Sequence, residues 1–175
     1  GADPDLLISA ERQGSRIETM MAQFLEYARG FSKEQMQTVN LKSLLHEAVI
    51  ISSVDTSTKI ECPAEMHVVL KHSAVLRGVS NLVINASIHG IPPIEIRARR
   101  SNGILTIDVS DAGLGIAPDE VNLLIRPFAR GDSARTNGGT GLGLAIVNQV
   151  ALAHKGTLDF KRTEERFRAI LKWPE

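Results

Sequence analysis

Ile104-Leu105-Thr106-Ile107-Asp108-Val109-Ser110-Asp111-Ala112-Gly113-Leu114-Gly115 alternates apolar and polar side chains and then breaks into a turn. A period of two places Leu105, Ile107 and Val109 on one face of a strand, and Asp111 continues that row. A carboxylate that extends a buried row needs a hydrogen-bond donor to offset its desolvation. Gly113 and Gly115 let the backbone turn sharply and let a ligand come close. Taken alone, Asp-x-Gly is explained more simply as an Asx-type turn.

Working outward, Ile94 to Arg99 alternates in the same way, with Asn102-Gly103 between the two runs. That pair suits a type I′ turn, which needs positive φ at both central residues, so a hairpin is expected. Leu158 to Lys161 and Phe167 to Trp173 read as a final strand pair. Lys59 to Cys62 and Met66 to Leu70 are shorter strand candidates separated at Pro63. Three helices are expected among these strands. Leu41 to Ser52 carries Leu41, Leu44, Leu45, Ala48 and Val49 on one face. Ser73 to His89 has Ser73 as its cap and is stopped by Gly90 and Pro92-Pro93. Thr140 to Lys155 is closed by Gly156. Helices and strands mix without regular βαβ alternation. The expectation is an α+β fold, a two-layer sandwich of three helices on a mixed sheet of about five strands.

One long helix precedes this body. Asp3 is placed as N-cap and Pro4 at the first helical position, while Gly30 ends the helix. Ile17, Met20, Met21, Phe24, Leu25 and Ala28 form an apolar stripe that must pack on this chain or on another. The expected organisation is therefore a helical segment over 1–31, a polar linker over 32–38 and the main domain over 39–175.

Composition narrows the classes. The 175 residues balance 20 Lys+Arg against 20 Asp+Glu, so no single-signed field argues for nucleic acid or an anionic membrane. A hydrophobic fraction of 43% supplies a real core. Cys62 is the only cysteine, which excludes an internal disulfide framework, and no Cys/His cluster has zinc spacing. The apolar runs are too short to span a bilayer.

Three further segments carry chemistry. Asn81, Asn85 and His89 recur at i, i+4 and i+8 and share one ridge of a helix. An amide oxygen there can ligate Mg²⁺, which takes few protein ligands beside phosphate oxygens; a solvated helix face is the plainer reading of the ridge alone. Gly138-Gly139-Thr140-Gly141-Leu142-Gly143-Leu144-Ala145-Ile146 runs a glycine-rich loop into a helix, whose first amides and dipole suit phosphate. It lacks the Gly-Lys-Ser/Thr ending of a P-loop, and no strand precedes it as in a dinucleotide fingerprint. Between these lie Arg126-Pro127-Phe128-Ala129-Arg130-Gly131-Asp132-Ser133-Ala134-Arg135. They suit a lid over about 117–140, in which Arg130 and Arg135 meet phosphate and Phe128 anchors the loop; an exposed basic loop is the alternative.

Together and in this order, the segments resemble the histidine-kinase branch of the ATPase superfamily that also holds gyrase B, the Hsp90 chaperones and the MutL repair proteins. Asn81-Leu82-Val83-Ile84-Asn85-Ala86 is similar to its N box, Asp111 to Gly115 to its G1 box, the segment around Phe128 to its F box, and Gly139 to Ile146 to its G2 box. Pro127 to Thr136 resembles the osmosensor kinases that act on OmpR-type response regulators. The resemblance implies ATP and Mg²⁺ as cofactors. Asp111 would accept from the adenine amino group, and Gly113 and Gly115 would admit the purine. Asn85 would ligate Mg²⁺, with Asn81 supporting it or touching phosphate. Thr140, Leu142, Gly139, Gly141 and Gly143 would form the hinge and phosphate cradle. Arg130 would contact phosphate, with Arg135, Phe128 and His89 as further contacts.

The family places a helical hairpin before this domain, with the phosphoacceptor His on its first helix. Residues 5–29 resemble only the second helix, and none of His46, His67, His72, His89 and His154 sits in the acceptor pattern. This chain is therefore expected to bind ATP and ADP and to phosphorylate a histidine on a separate hairpin, but not to autophosphorylate. Implied partners are that hairpin, an OmpR-like regulator reached through the parent protein, and a second copy through residues 4–29. The implied location is the cytoplasmic part of an inner-membrane sensor. Two departures from the family stand out: Ile88 where many relatives have Lys or Arg, and His89 where many have Tyr. Ile88 and the missing acceptor keep open a nucleotide-binding or dimerisation module without kinase activity. A serine kinase or plain ATPase of the same superfamily is the other rival.

Overall fold

The computed structural model describes residues 4–54, 58–129 and 140–175. They fall into two compact units, 1–30 and 31–175. The first holds a single helix, α1 (Pro4–Arg29), on which Ile17, Met21, Phe24 and Leu25 are exposed. Among the described residues no helix is long and apolar enough to cross a membrane.

The second unit follows the order β1 (Gln37–Asn40), α2 (Leu41–Ser52), β2 (Thr58–Glu61), β3 (His67–Leu70), α3 (His72–His89), β4 (Ile94–Ser101), β5 (Ile104–Asp111), α4 (Val121–Leu124), α5 (Gly143–Ala153), β6 (Thr157–Arg162) and β7 (Phe167–Pro174). The main sheet has the strand order β2-β4-β5-β7-β6. Only β2–β4 pairs in parallel; the other three ladders are antiparallel. The α+β sandwich with a mixed five-stranded sheet is thus as the sequence implies. The hairpin turn has φ of 51° at Asn102 and 71° at Gly103, as its chemistry requires.

One face of the sheet is the core. Register aligns Ile96, Val109 and Ala169 across three strands, and Leu105 with Trp173, all buried. Helices α2, α3 and α5 cover this face, with α3 in contact with both of the others. Gly78 lets α5 approach, because a Cβ there would stand 3.3 Å from Val150 Cγ1. The opposite face carries charge in its rows: Glu61, Arg97, Asp108 and Arg168 among them.

Several local expectations need correction. The two short strand candidates around Pro63 do not share a sheet: β2 joins the main sheet, while β3 pairs with β1 in a separate two-stranded ladder. Segment 32–38, expected as a linker, contains the start of that ladder at Gln37 and is fastened to the body by side chains described below. Ser73 does not cap α3. The helix begins at His72, and the amides of Ser73 and Ala74 donate to the Glu34 carboxylate, at 2.6 and 3.1 Å. The last helix starts at Gly143 instead of Thr140, because Gly141 takes φ of +71° and turns the chain first. A short helix, α4, lies within the stretch expected as a lid.

Candidate functional site

Two clusters form along α3. In the first, Asn81 and Asn85 lie one turn apart and face the start of α5. A Cβ on Gly143 would stand 3.3 Å from Asn81 Oδ1 and 3.5 Å from Asn85 Oδ1. A Cβ at Gly143 would therefore crowd the Asn81 amide and just touch that of Asn85. The Asn81 amide is itself steadied, with Nδ2 donating to Arg77 O at 3.0 Å. The first amides of an α-helix lack intrahelical partners, so this corner joins carbonyl oxygens to an electropositive helix end.

In the second cluster Asp111 ends its strand only 5% exposed. Its Oδ1 accepts from Gly113 N at 2.6 Å and from Ile91 N at 3.3 Å. These amides offset the desolvation that the sequence flags for a carboxylate in an apolar row. Close contact of three backbones makes this possible. A Cβ on Gly113 would stand 2.7 Å from Asp111 Oδ1 and 2.9 Å from Gly90 Cα. A Cβ on Gly90 would stand 2.5 Å from both Ala86 O and Asp111 Oδ1. The α3 terminus, the 90–91 turn and the β5 exit are therefore locked together, and Ala112 N donates to Ile91 O at 2.7 Å.

From Asn81 to Gly90 the helix rises roughly 13 Å, so one elongated ligand can span both clusters. On the far side of Asp111, Gly115 lies against the ring of Phe167, and the Arg162 guanidinium donates to Gly113 O. A cavity of about 580 Å³ opens there, between the 114–122 loop and strand β6. Its walls include Leu114, Ile116, Val121, Leu158, Phe160 and Phe167, but not Asn81, Asn85 or Asp111.

The remaining expected site residues are placed as follows. Leu142 is fully buried, and its N–H donates to Thr140 Oγ1 at 3.3 Å. Gly141 is pressed against the Phe128–Ala129 backbone, where a Cβ would stand 2.7 Å from Ala129 O. Phe128 itself is half exposed and has φ of +64°. His89 ends α3 on the surface, beside Ile88, which is 48% exposed. Arg130, Arg135 and Gly139 lie outside the described residues. Sequence reasoning passed over Gly90, Ile91, Arg162 and Phe167. Gly90 read there only as part of a helix stop, Ile91 carried no reading, and no spacing rule links Arg162 or Phe167 to Asp111.

For a cation, the donor set points to a shared site. No cluster of three or more His, Cys, Asp or Glu that could hold a metal occurs among the described residues. Amide oxygens beside an anion-accepting helix start suit Mg²⁺ carried in with phosphate.

Comparison with known proteins shows the family of the chain. The family model described as histidine kinase-, DNA gyrase B-, and HSP90-like ATPase matches residues 71–175. The sensor-like histidine kinase SenX3 of Mycobacterium tuberculosis is 33% identical over 158 residues, covering 83% of this chain and 38% of its own length. The chain thus spans under two fifths of that relative. The NMR structure of the histidine kinase domain of the E. coli osmosensor EnvZ superposes with a TM-score of 0.57 at 32% identity, covering 81% of this chain and 88% of that one. The Acinetobacter baumannii histidine kinase AdeS has the same fold, with a TM-score of 0.78 at 16% identity over 99% of this chain and 86% of its own.

Proposed function

Because the chain belongs to the histidine kinase-, DNA gyrase B-, and HSP90-like ATPase family, and to its histidine-kinase catalytic domains, we propose that it binds Mg·ATP along α3 and delivers the γ-phosphate to a histidine on a separate helix. The observation that carries this reading is the meeting of Gly143 with Asn81 and Asn85. It supplies a phosphate-accepting helix start and an oxygen donor at one point.

In this reading the base reaches Asp111, whose carboxylate is pre-aimed by the Gly113 and Ile91 amides and accepts from the adenine amino group. The phosphates lie toward the α5 start, with Thr140, Gly141 and Leu142 shaping the turn that leads into it. Asn85 would hold Mg²⁺, with Asn81 keeping that amide in place. Bound Mg²⁺ supplies neutralisation of the phosphate charge. Arg130 and Arg135 are assigned to phosphate contacts on the lid, and His89 to the rim beside the base. Little covalent chemistry is then asked of this chain: it positions the γ-phosphate and excludes water. The acceptor histidine, its proton acceptor, an OmpR-like regulator and a membrane-bound parent belong to the same proposal, as does pairing of two copies through residues 4–29.

One observation favours a second reading. Ile88 puts an exposed apolar side chain beside the site where many relatives have a cation. A nucleotide-binding module with weak or no transfer would follow from that loss. Calorimetric titration of ATP with and without Mg²⁺, with Asp111→Ala as control, tests the site. Adding an acceptor hairpin in trans then tests transfer. Mg²⁺-responsive, Asp111-dependent binding and a phosphohistidine product are expected. Binding without any phosphohistidine would favour the second reading, and no binding by the folded chain would remove the first.

A further inference from the structure

Lys71 is a buried charge outside the nucleotide site, only 7% exposed. It stands at the N-cap of α3, where its side chain cannot accept from the helix amides. Instead its Nζ donates to Phe31 O at 2.7 Å and Ser32 O at 2.8 Å. Its own backbone N–H donates to His154 Nε2 at 3.0 Å. His154 is buried too; its Nδ1 donates to Val150 O at 2.8 Å, and its ring stacks on Trp173 at 4.7 Å. The amides that Lys71 cannot cap are taken by Glu34, which reaches back from the same incoming segment. Phe31 is buried as well.

Residues 31–34 are thus tied to the body of the second unit at three points: an apolar side chain, a lysine on two carbonyls and a carboxylate on two amides. The division between the two units falls between Gly30 and Phe31. Gly30 has φ of +58° and nothing within 4 Å of where a Cβ would stand. A buried ammonium, costly unless fully hydrogen-bonded, is spent here on holding a chain entry.

We propose that Lys71, Glu34 and the supporting His154 form a clasp that fixes the entry into the catalytic unit, so that motion relative to α1 is confined to Gly30. Lys71 is then a positioning residue. It keeps the tether between the catalytic unit and the hairpin helix short. With the clasp open, residues 31–36 add up to roughly 20 Å of reach. A longer flexible tether lowers the effective concentration of an acceptor held on the other side of it. The link to transfer rests on the kinase reading above; the mechanical claim does not.

The test uses the full 175-residue chain with Lys71→Met, which keeps the buried stem, and Glu34→Ala, which removes the carboxylate at a partly exposed position. Spin labels at Cys62 and at Thr19→Cys report the distance distribution between α1 and the catalytic unit, and amide exchange reports residues 31–36. Both variants are expected to broaden the distribution and to raise exchange at 31–36 at least about tenfold, with ATP affinity unchanged within about twofold. An unchanged distribution in folded Lys71→Met and Glu34→Ala chains overturns the clasp, whatever either does to global stability. Failure of the kinase reading would appear separately, as absent ATP binding in the unmodified chain.

Discussion

Asp108 and Asp111 sit three residues apart on one strand, face opposite sides of the sheet, and are both almost fully buried, at 1% and 5% exposure. Their surroundings differ in kind. Asp111 faces the helix layer and receives two backbone amides, held by three backbones packed closely enough that no Cβ fits among them. Asp108 faces the charged side and has one guanidinium partner, Arg99 Nη2 at 3.2 Å, while its Oδ1 has no hydrogen-bond partner. Burial pushes the Asp108 carboxyl above its ordinary value, against the pull of Arg99, Arg168 and Arg97. Backbone amides cannot move away or change charge, so the first carboxylate is built in. The second is tolerated. Burial alone therefore does not distinguish the two carboxylates; what distinguishes them is whether the fold commits immobile donors.

The sharpest way to break this contrast is to exchange the roles. Asp111→Ala should weaken ATP binding by about 100-fold or more, near 2.7 kcal/mol, as expected for a lost charge-assisted hydrogen bond in a dry site. Asp108→Asn should leave ATP affinity within about twofold. Calorimetric titration of both variants checks this, and equal losses would mean that the distinction drawn from their donors is wrong.

A second prediction attacks the packing that aims Asp111. Gly90→Ala puts a methyl group against the Ala86 carbonyl and the Asp111 carboxylate together. Overpacking against backbone leaves little to relax, so urea unfolding should show a loss of about 2–3 kcal/mol. ATP affinity should fall as well, because the 90–91 turn carries one of the two donors. Gly14→Ala, in α1 with open space around its Cβ position, is the matched control and should not destabilise the chain.

How far the sequence reveals these features follows from how local they are. The β4–β5 hairpin was legible because alternation and the Asn102-Gly103 turn act over a few neighbouring residues. The asparagine ridge and the glycine loop were legible as unusual residues for their elements. The contacts that complete the site are not local. Ile91 N reaches Asp111 across 20 residues, Arg162 reaches Gly113 across 49, and Lys71 reaches His154 across 83. The cap of α3 shows the same limit. Ser73 has the right chemistry and nearly the right position, yet Glu34 outcompetes it from a segment that looked like plain linker. The ladder of β1 with β3 was missed because four-residue strands give alternation too little length to register.

The smallest expected effect concerns pH; it rests on Asp108 alone and needs no ligand. A carboxyl raised by burial holds its proton more tightly in the folded chain than in the unfolded one. Between its ordinary value near 3.8 and its raised value, the folded state binds more protons. Stability contributed by this group therefore falls as pH rises through that window. Asp108→Asn removes the titrating proton, so its unfolding free energy should lose that downward component relative to the unmodified chain. At neutral pH the substitution should shift stability by less than about 1 kcal/mol, because the Arg99 partner is half exposed and water can take over its solvation. Urea unfolding across pH 4 to 7 measures both quantities. A loss near 3 kcal/mol at neutral pH would instead make Asp108 a structural ion pair, and the charged face of the sheet would then be as deliberately built as the face that holds Asp111.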